Sequence, residues 1–117
     1  MGELQHSATV LVAEDPFIVG FLKSCLSRYG YRVIGGDSNF AMNILRSGEP
    51  RVDVLITNQP ENFADSAARM PLLYIAAFPE PARASAFPRC RMLRKPFHPQ
   101  QMLAALAGLL AGRAATE

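Results

Sequence analysis

Four short β-rich runs punctuate the chain at 9–13 (TVLVA), 31–36 (YRVIGG), 52–57 (VDVLIT) and 72–78 (LLYIAAF), and 91–95 (RMLRK) reads as a fifth, weaker strand. Between them lie segments with helical spacing or with clustered prolines. Runs that are apolar throughout, rather than alternating, read as strands buried on both faces. Strand and helix alternating along one chain predict a parallel sheet with helices on both faces and right-handed crossovers.

The helix signals are specific. Asp15 ahead of Pro16 reads as a cap followed by a proline in the first turn. Ile18, Phe21, Leu22, Cys25, Leu26 and Tyr29 then recur at helical spacing, and Gly30 stops the run. Asp37 or Ser38 caps a second helix, whose stripe is Phe40, Ala41, Ile44 and Leu45. After Pro96 and Phe97 a last amphipathic helix presents Met102, Leu103, Leu106, Leu109 and Leu110, and it is expected to end at Gly112. Two crossovers are lean. Only 12 residues separate Asn58 from Pro71, close to the minimum of about 10–12 for a crossover with its helix. Pro79, Pro81 and Pro88 interrupt the next one and oppose a regular helix. The third and fourth helices are therefore expected to be shortened or irregular. The side of the sheet they cover is expected to be thinly protected and open to a partner or a dimer mate.

Size and composition bound the rest. The 117 residues suit a single domain, 1–117, with 1–7 and 113–117 expected to be flexible. Such a domain buries enough surface to need no disulfide or metal staple. Half the residues are hydrophobic and 19% are charged, which excludes a disordered chain. A net charge of +2 gives no argument for nucleic acid. The basic cluster Arg83, Arg89, Arg91, Arg94 and Lys95 reads as solvated surface. Cys25 and Cys90, without C-x-x-C spacing, read as buried thiols of a reduced, cytoplasmic protein. His6 and His98 read as exposed rather than as metal ligands. No apolar run spans a bilayer, the N-terminus carries no signal-peptide pattern, and His6 breaks a myristoylation match.

In an open parallel α/β sheet, chemistry gathers at the carboxyl ends of the strands. Four pieces should meet there: Glu14–Asp15, Asn58, Ala76–Ala77 and Lys95-Pro96-Phe97. With "VLVAEDPFIVGFLKSCLSRYGYRVIGG", "LRSGEPRVDVLITN", "PLLYIAA" and "LRKPF" followed by "HPQQMLAAL", nearly the whole chain resembles the receiver domains of two-component response regulators. The resemblance implies a flavodoxin-like (βα)5 three-layer sandwich with strand order 2-1-3-4-5. It also implies a site in which an acidic pair holds magnesium and an aspartate accepts a phosphoryl group from a histidine kinase. A strand-four hydroxyl and a lysine bind the phosphoryl oxygens, and a cis bond precedes the proline after that lysine.

Here the implied pattern breaks at its centre. Asn58 stands at the acceptor position, and an amide cannot form an acyl phosphate. Ala76 stands at the hydroxyl position, and Met92 near the switch aromatic. Aligned on the strand, Glu14 and Asp15 are the acidic pair; aligned on Pro16 and Gly30-Tyr31, the pair shifts by one and Ala13 replaces one acid. These two acids also read as a helix-terminal pair, a residual metal site or a partner contact. Lys95 is expected against Glu14 or Asp15, with Asn58 hydrogen-bonded into the pocket, and Pro96 cis. Magnesium binding is expected to be weak or lost, Glu14 and Asp15 being its weak candidate ligands, with no other cofactor and no catalytic residue.

The expected function is a non-phosphorylatable receiver acting through protein contacts. Its partner would be a histidine kinase or another signalling protein. A homodimer would form through the fifth strand and last helix, or through the side near helices three and four. The competing readings are a working phosphoacceptor with an atypical site and a small flavodoxin-like cofactor protein. The carboxylates of "AEDPF" disfavour the latter, since they would repel phosphate.

Overall fold

A computed structural model describes the backbone of residues 8–115 and the side chains of 8–111. Residues 1–7, with His6, and 116–117 lie outside the described residues. The chain runs β1 (Thr9–Ala13), α1 (Pro16–Ser27), β2 (Arg32–Gly36), α2 (Ser38–Ser47), β3 (Val54–Thr57), a 3₁₀ segment (Pro60–Ser66), β4 (Leu72–Ala76), a second 3₁₀ segment (Pro81–Ala84), β5 (Cys90–Arg94) and α3 (Pro99–Ala115). The five strands form one parallel sheet in the order β2-β1-β3-β4-β5. This is the expected doubly wound architecture, with its third and fourth helices reduced to 3₁₀ turns. α3 continues to Ala115, past the expected stop at Gly112.

Local chemistry explains the boundaries. Asp15 caps α1, its Oδ1 accepting from the Ile18 N–H at 3.0 Å, and Asp37 caps α2 through Phe40 N–H at 2.9 Å. Gly30 and Gly48 take φ of 87° and 75°, the left-handed turn that lets the chain leave each helix. β3 starts at Val54, two residues later than its sequence run. Asp53 is held at its mouth, with its Oδ2 accepting from Thr9 N–H at 2.8 Å.

Each face of the sheet carries its own core. On one face, Val10, Val12, Val54, Ile56, Leu73 and Ile75 pack under Leu22 and Leu26 of α1 and Met102, Leu106 and Leu109 of α3. On the other, Leu11, Leu55, Leu72 and Tyr74 pack against Ala41 of α2 and Phe63, Ala67, Met70, Ala84 and Phe87 from the 3₁₀ side. The expectation that this second side is thinly protected is corrected. Phe63, in the first 3₁₀ segment, and Phe87, just after the second, are 2% and 5% exposed, so two short turns and their flanks seal the sheet as helices would. Apolar exposure lies elsewhere. Phe17, Phe21, Tyr29, Phe40, Phe78 and Met92 are all exposed. Phe21 and Phe40, expected on the apolar stripes, sit on the flanks of their helices while Leu22 and Ala41 are buried, and Tyr29 lies in the turn after α1. The two cysteines are half-buried rather than buried, and burial pushes the Cys90 thiol above its ordinary pKa.

Two glycines of β2 allow close approach. A methyl at Gly35 would collide with the Val19 side chain of α1, and one at Gly36 would lie 2.6 Å from the Phe40 ring. Among the described residues, no helix is long and apolar enough to cross a membrane.

Candidate functional site at the carboxyl edge of the sheet

The acidic pair divides its work. Glu14 extends β1, its N–H donating to the Gly36 carbonyl at 3.2 Å. Its side chain is 1% exposed, and Oε2 accepts from Lys95 Nζ at 2.9 Å. The other oxygen accepts from the Asp15 N–H at 3.2 Å. Asp15 is exposed and spends its carboxylate on the α1 cap. Of the two partners left open for Lys95, the structure selects Glu14. A buried carboxylate needs such a cation, because desolvation makes an isolated charge costly.

Lys95 is aimed from below. Its N–H donates to the Ala76 carbonyl at 2.8 Å, just past the last β4–β5 pairing. Ala76 thus contributes a backbone acceptor to the site and only a methyl as side chain. The Lys95–Pro96 bond is cis, as expected, and so is Glu49–Pro50, which the sequence reading did not single out.

Asn58 follows β3 and is half-buried. It lines a cleft of about 630 Å³ with Glu14, Asp15, Gly36 and Asp37 among its walls. Its amide makes no hydrogen bond with another described residue, contrary to the expectation that it would be bonded into the Glu14–Lys95 pair. The polar anchor there is the preceding residue, which sequence reasoning missed. Thr57, fully buried, donates through Oγ1 to the Ala13 carbonyl at 2.9 Å and accepts from Gln59 N–H at 3.1 Å. Thr57 looks like one more β-branched strand residue, so only its position at the strand end could have marked it. Gln59 Oε1 in turn accepts from Ser38 Oγ at 3.3 Å and Asn62 Nδ2 at 3.0 Å, which ties the loop to the start of α2.

The cleft's charge has one sign. Glu14, Asp15 and Asp37 line it, and no Lys, Arg or His among the described residues does. The basic residues lie elsewhere, and two of the sequence cluster are engaged with other groups. Arg83 meets Glu61 through Nε and Nη2, the latter at 2.6 Å, and this holds the Glu61 carboxyl below its usual pKa. Arg94 donates from Nε to the Ala77 carbonyl at 3.1 Å and lies over the Phe78 ring, 5.2 Å from its centre. His98 is exposed, as expected. It also opens α3: its N–H donates to Gln101 Oε1 at 2.7 Å and its Nδ1 accepts from Gln100 N–H at 3.3 Å.

No protein-family model and no curated protein matches the chain. Solved structures do. A response regulator receiver protein from Sinorhizobium medicae WSM419 superposes with a TM-score of 0.76 at 25% identity, covering 92% of this chain and 98% of that one. The chain has the receiver fold. The chemotaxis protein CheY4 of Vibrio cholerae matches at 0.75 with 24% identity, over 90% of this chain and 100% of its own. A response regulator receiver domain from Clostridium thermocellum matches at 0.77 with 19% identity, over 94% and 99%. On this receiver fold Glu14 and Lys95 meet at the carboxyl edge of the sheet, Asp15 and Asn58 border the adjoining cleft, and Ala76 supports Lys95 through its backbone.

Proposed function

We propose that the chain is a receiver-fold signalling module that accepts no phosphoryl group and acts in two-component signal transduction through protein contacts. The observation that carries this reading is the residue at the end of β3. Asn58 borders the cleft where the receiver resemblance requires a nucleophilic carboxylate, and an amide cannot form an acyl phosphate. Ala76 supports it, since a methyl cannot hydrogen-bond a phosphoryl oxygen.

The residues present also do not fit the magnesium ion that the resemblance implies. A hard cation of this kind takes carboxylate and other oxygen ligands in a near-octahedral set. Glu14 is buried against Lys95, and Asp15 caps a helix. Among the described residues no three His, Cys, Asp or Glu side chains cluster to hold a metal. The Glu14–Lys95 pair takes the place of that ion as a fixed structural contact. A histidine kinase or a partner of one fits this role, and the receiver domain of the hybrid histidine kinase CckA shares the fold at 17% identity and a TM-score of 0.70.

The test is to incubate the protein with a small phosphodonor and magnesium and to measure its intact mass. The expected result is an unchanged mass. A stoichiometric gain of one phosphoryl group would reject the proposal and favour an atypical acceptor.

A further inference from the structure

The sheet ends at β5 on one side and at β2 on the other. Edge strands are usually guarded against a second chain by charged side chains, proline, bulges or a covering element. β5 follows that rule, since Arg91 and Arg94 are both exposed on it. β2 (RVIGG) has a single charge, Arg32 at its first residue, and no proline. It pairs in unbroken register with β1 and with no other strand, so it has no bulge. Its side chains go to the faces of the sheet, Val33 to the core under α1 and Ile34 to the core under α2.

The backbone bonds of β2 say which groups are left over. Arg32 N–H donates to the Ala8 carbonyl at 2.9 Å, and the Gly36 carbonyl accepts from Glu14 N–H at 3.2 Å. In a parallel ladder alternate residues of a strand serve one neighbour. Arg32, Ile34 and Gly36 therefore face β1, and Val33 and Gly35 turn their N–H and C=O groups outward. Among the described residues these groups have no partner on that side. Gly35 and Gly36 present no side chain there, and a glycine in a strand suits the close approach of another backbone.

We propose that β2 is a self-recognition strand: two copies of the chain pair β2 to β2, antiparallel about a two-fold axis through Ile34, and join their sheets into one. A two-fold interface must be self-complementary. With Ile34 opposite itself, Val33 faces the partner's Gly35, and the two exchange both N–H···O bonds as a hydrogen-bonded antiparallel pair does. The symmetric pair repeats them. A shift by one residue sets outward groups against ones already bonded to β1. Charge matches in the same register. Arg32 falls opposite the partner's Gly36, beside the partner's Asp37 and Phe40. Arg32 is exposed and has no carboxylate within ion-pair distance among the described residues. Asp37 is exposed, and its Oδ1 caps α2, which leaves Oδ2 for the guanidinium. The Phe40 ring is 40% exposed and lies against the empty Cβ position of Gly36, where a guanidinium from the partner can stack on it. Within one chain Arg32 and Asp37 stand at opposite ends of β2, about 16 Å apart at about 3.3 Å per residue, so only a second copy brings them together. The inference stands whether or not the cleft at Asn58 accepts a phosphoryl group.

The experiment is sedimentation equilibrium of the full chain from micromolar to millimolar concentration, and a monomer–dimer equilibrium is expected. Arg32→Glu alone and Asp37→Arg alone should each weaken the dimer tenfold or more, because each sets like charges together at both ends of the paired strands. An equimolar mixture of these two variants should recover the parent's affinity, since both ends then join opposite charges. Ile34→Cys should form an oxidised dimer linked from residue 34 to residue 34, read by mass spectrometry of its peptides, because a Cα separation of about 4.5 Å at that pair suits a disulfide. A parent that stays monomeric throughout would overturn the proposal. So would a mixture no tighter than its two components, a dimer that neither charge change weakens, or a dimer of Ile34→Cys that links only through Cys25 or Cys90.

Discussion

The Glu14–Lys95 contact decides most at the scale of single residues. Lys95→Met leaves a carboxylate that is 1% exposed without its cation, and breaking a buried pair in this way costs about 3–5 kcal/mol. The double change Glu14→Gln with Lys95→Met should recover most of that loss, because no charge is then stranded. Urea unfolding of the two variants beside the parent measures the difference. Equal loss in both would mean that packing, not charge, holds Lys95 there. A second expectation concerns the acceptor position. Asn58→Asp with Ala76→Thr should partly restore magnesium binding, read as a saturable heat in calorimetry where the parent gives none. Flat titrations of both proteins would tell against the placement of the pocket. The site was legible in the sequence to the extent that its residues occupy strand ends. The alternation of strands and helices brings Glu14, Asn58, Ala76 and Lys95 to one edge whatever their identity. The hydrogen bonds were not legible. Whether the ammonium of Lys95 chooses Glu14 or Asp15 depends on which carboxylate the α1 cap has already claimed, and Thr57 carries no pattern that separates a bonded hydroxyl from a packed methyl.

Among the elements, the caps and the proline-cut crossovers were readable because they rest on local chemistry. Asp15→Ala and Asp37→Ala each remove a side-chain bond to a helix N-terminus and should each cost about 1 kcal/mol in thermal or denaturant unfolding. The link between the two 3₁₀ segments was not readable, since Glu61 and Arg83 lie 22 residues apart. Their pairing lowers the Glu61 pKa, so its contribution to stability is present above the ordinary carboxylate range and fades as pH falls through the lowered value. Glu61→Gln should therefore be slightly less stable than the parent near pH 6 and equal to it in strong acid. The difference should be small and should shrink in high salt, since the pair is largely exposed. A gap between the two proteins that widens in acid would contradict the assignment. Burial on the helix flanks also escaped the sequence. Spacing gives the period of a stripe but not its centre, and so Phe21 and Phe40 were assigned to faces that Leu22 and Ala41 fill.

For the whole molecule, the sheet is covered on both sides although one side has only a single regular helix. The lean crossovers predict a weak face only if helix length measures cover. Phe63 and Phe87 show that two bulky rings on short turns do the same work. Phe63→Ala should then behave as a core deletion, with a loss of about 3–5 kcal/mol in denaturant unfolding. A loss below about 1 kcal/mol, typical of a surface position, would return that side to the status of an open face. The opposite side has a different sensitivity. At Gly35 there is no side chain between β2 and Val19 of α1, and the same helix carries Asp15, one wall of the cleft beside Asn58. The missing methyl acts as a spacer of zero thickness: a Cβ at 35 would press on Val19 and so on the helix that walls the cleft, and the gauge of that opening is set by an atom the chain does not have.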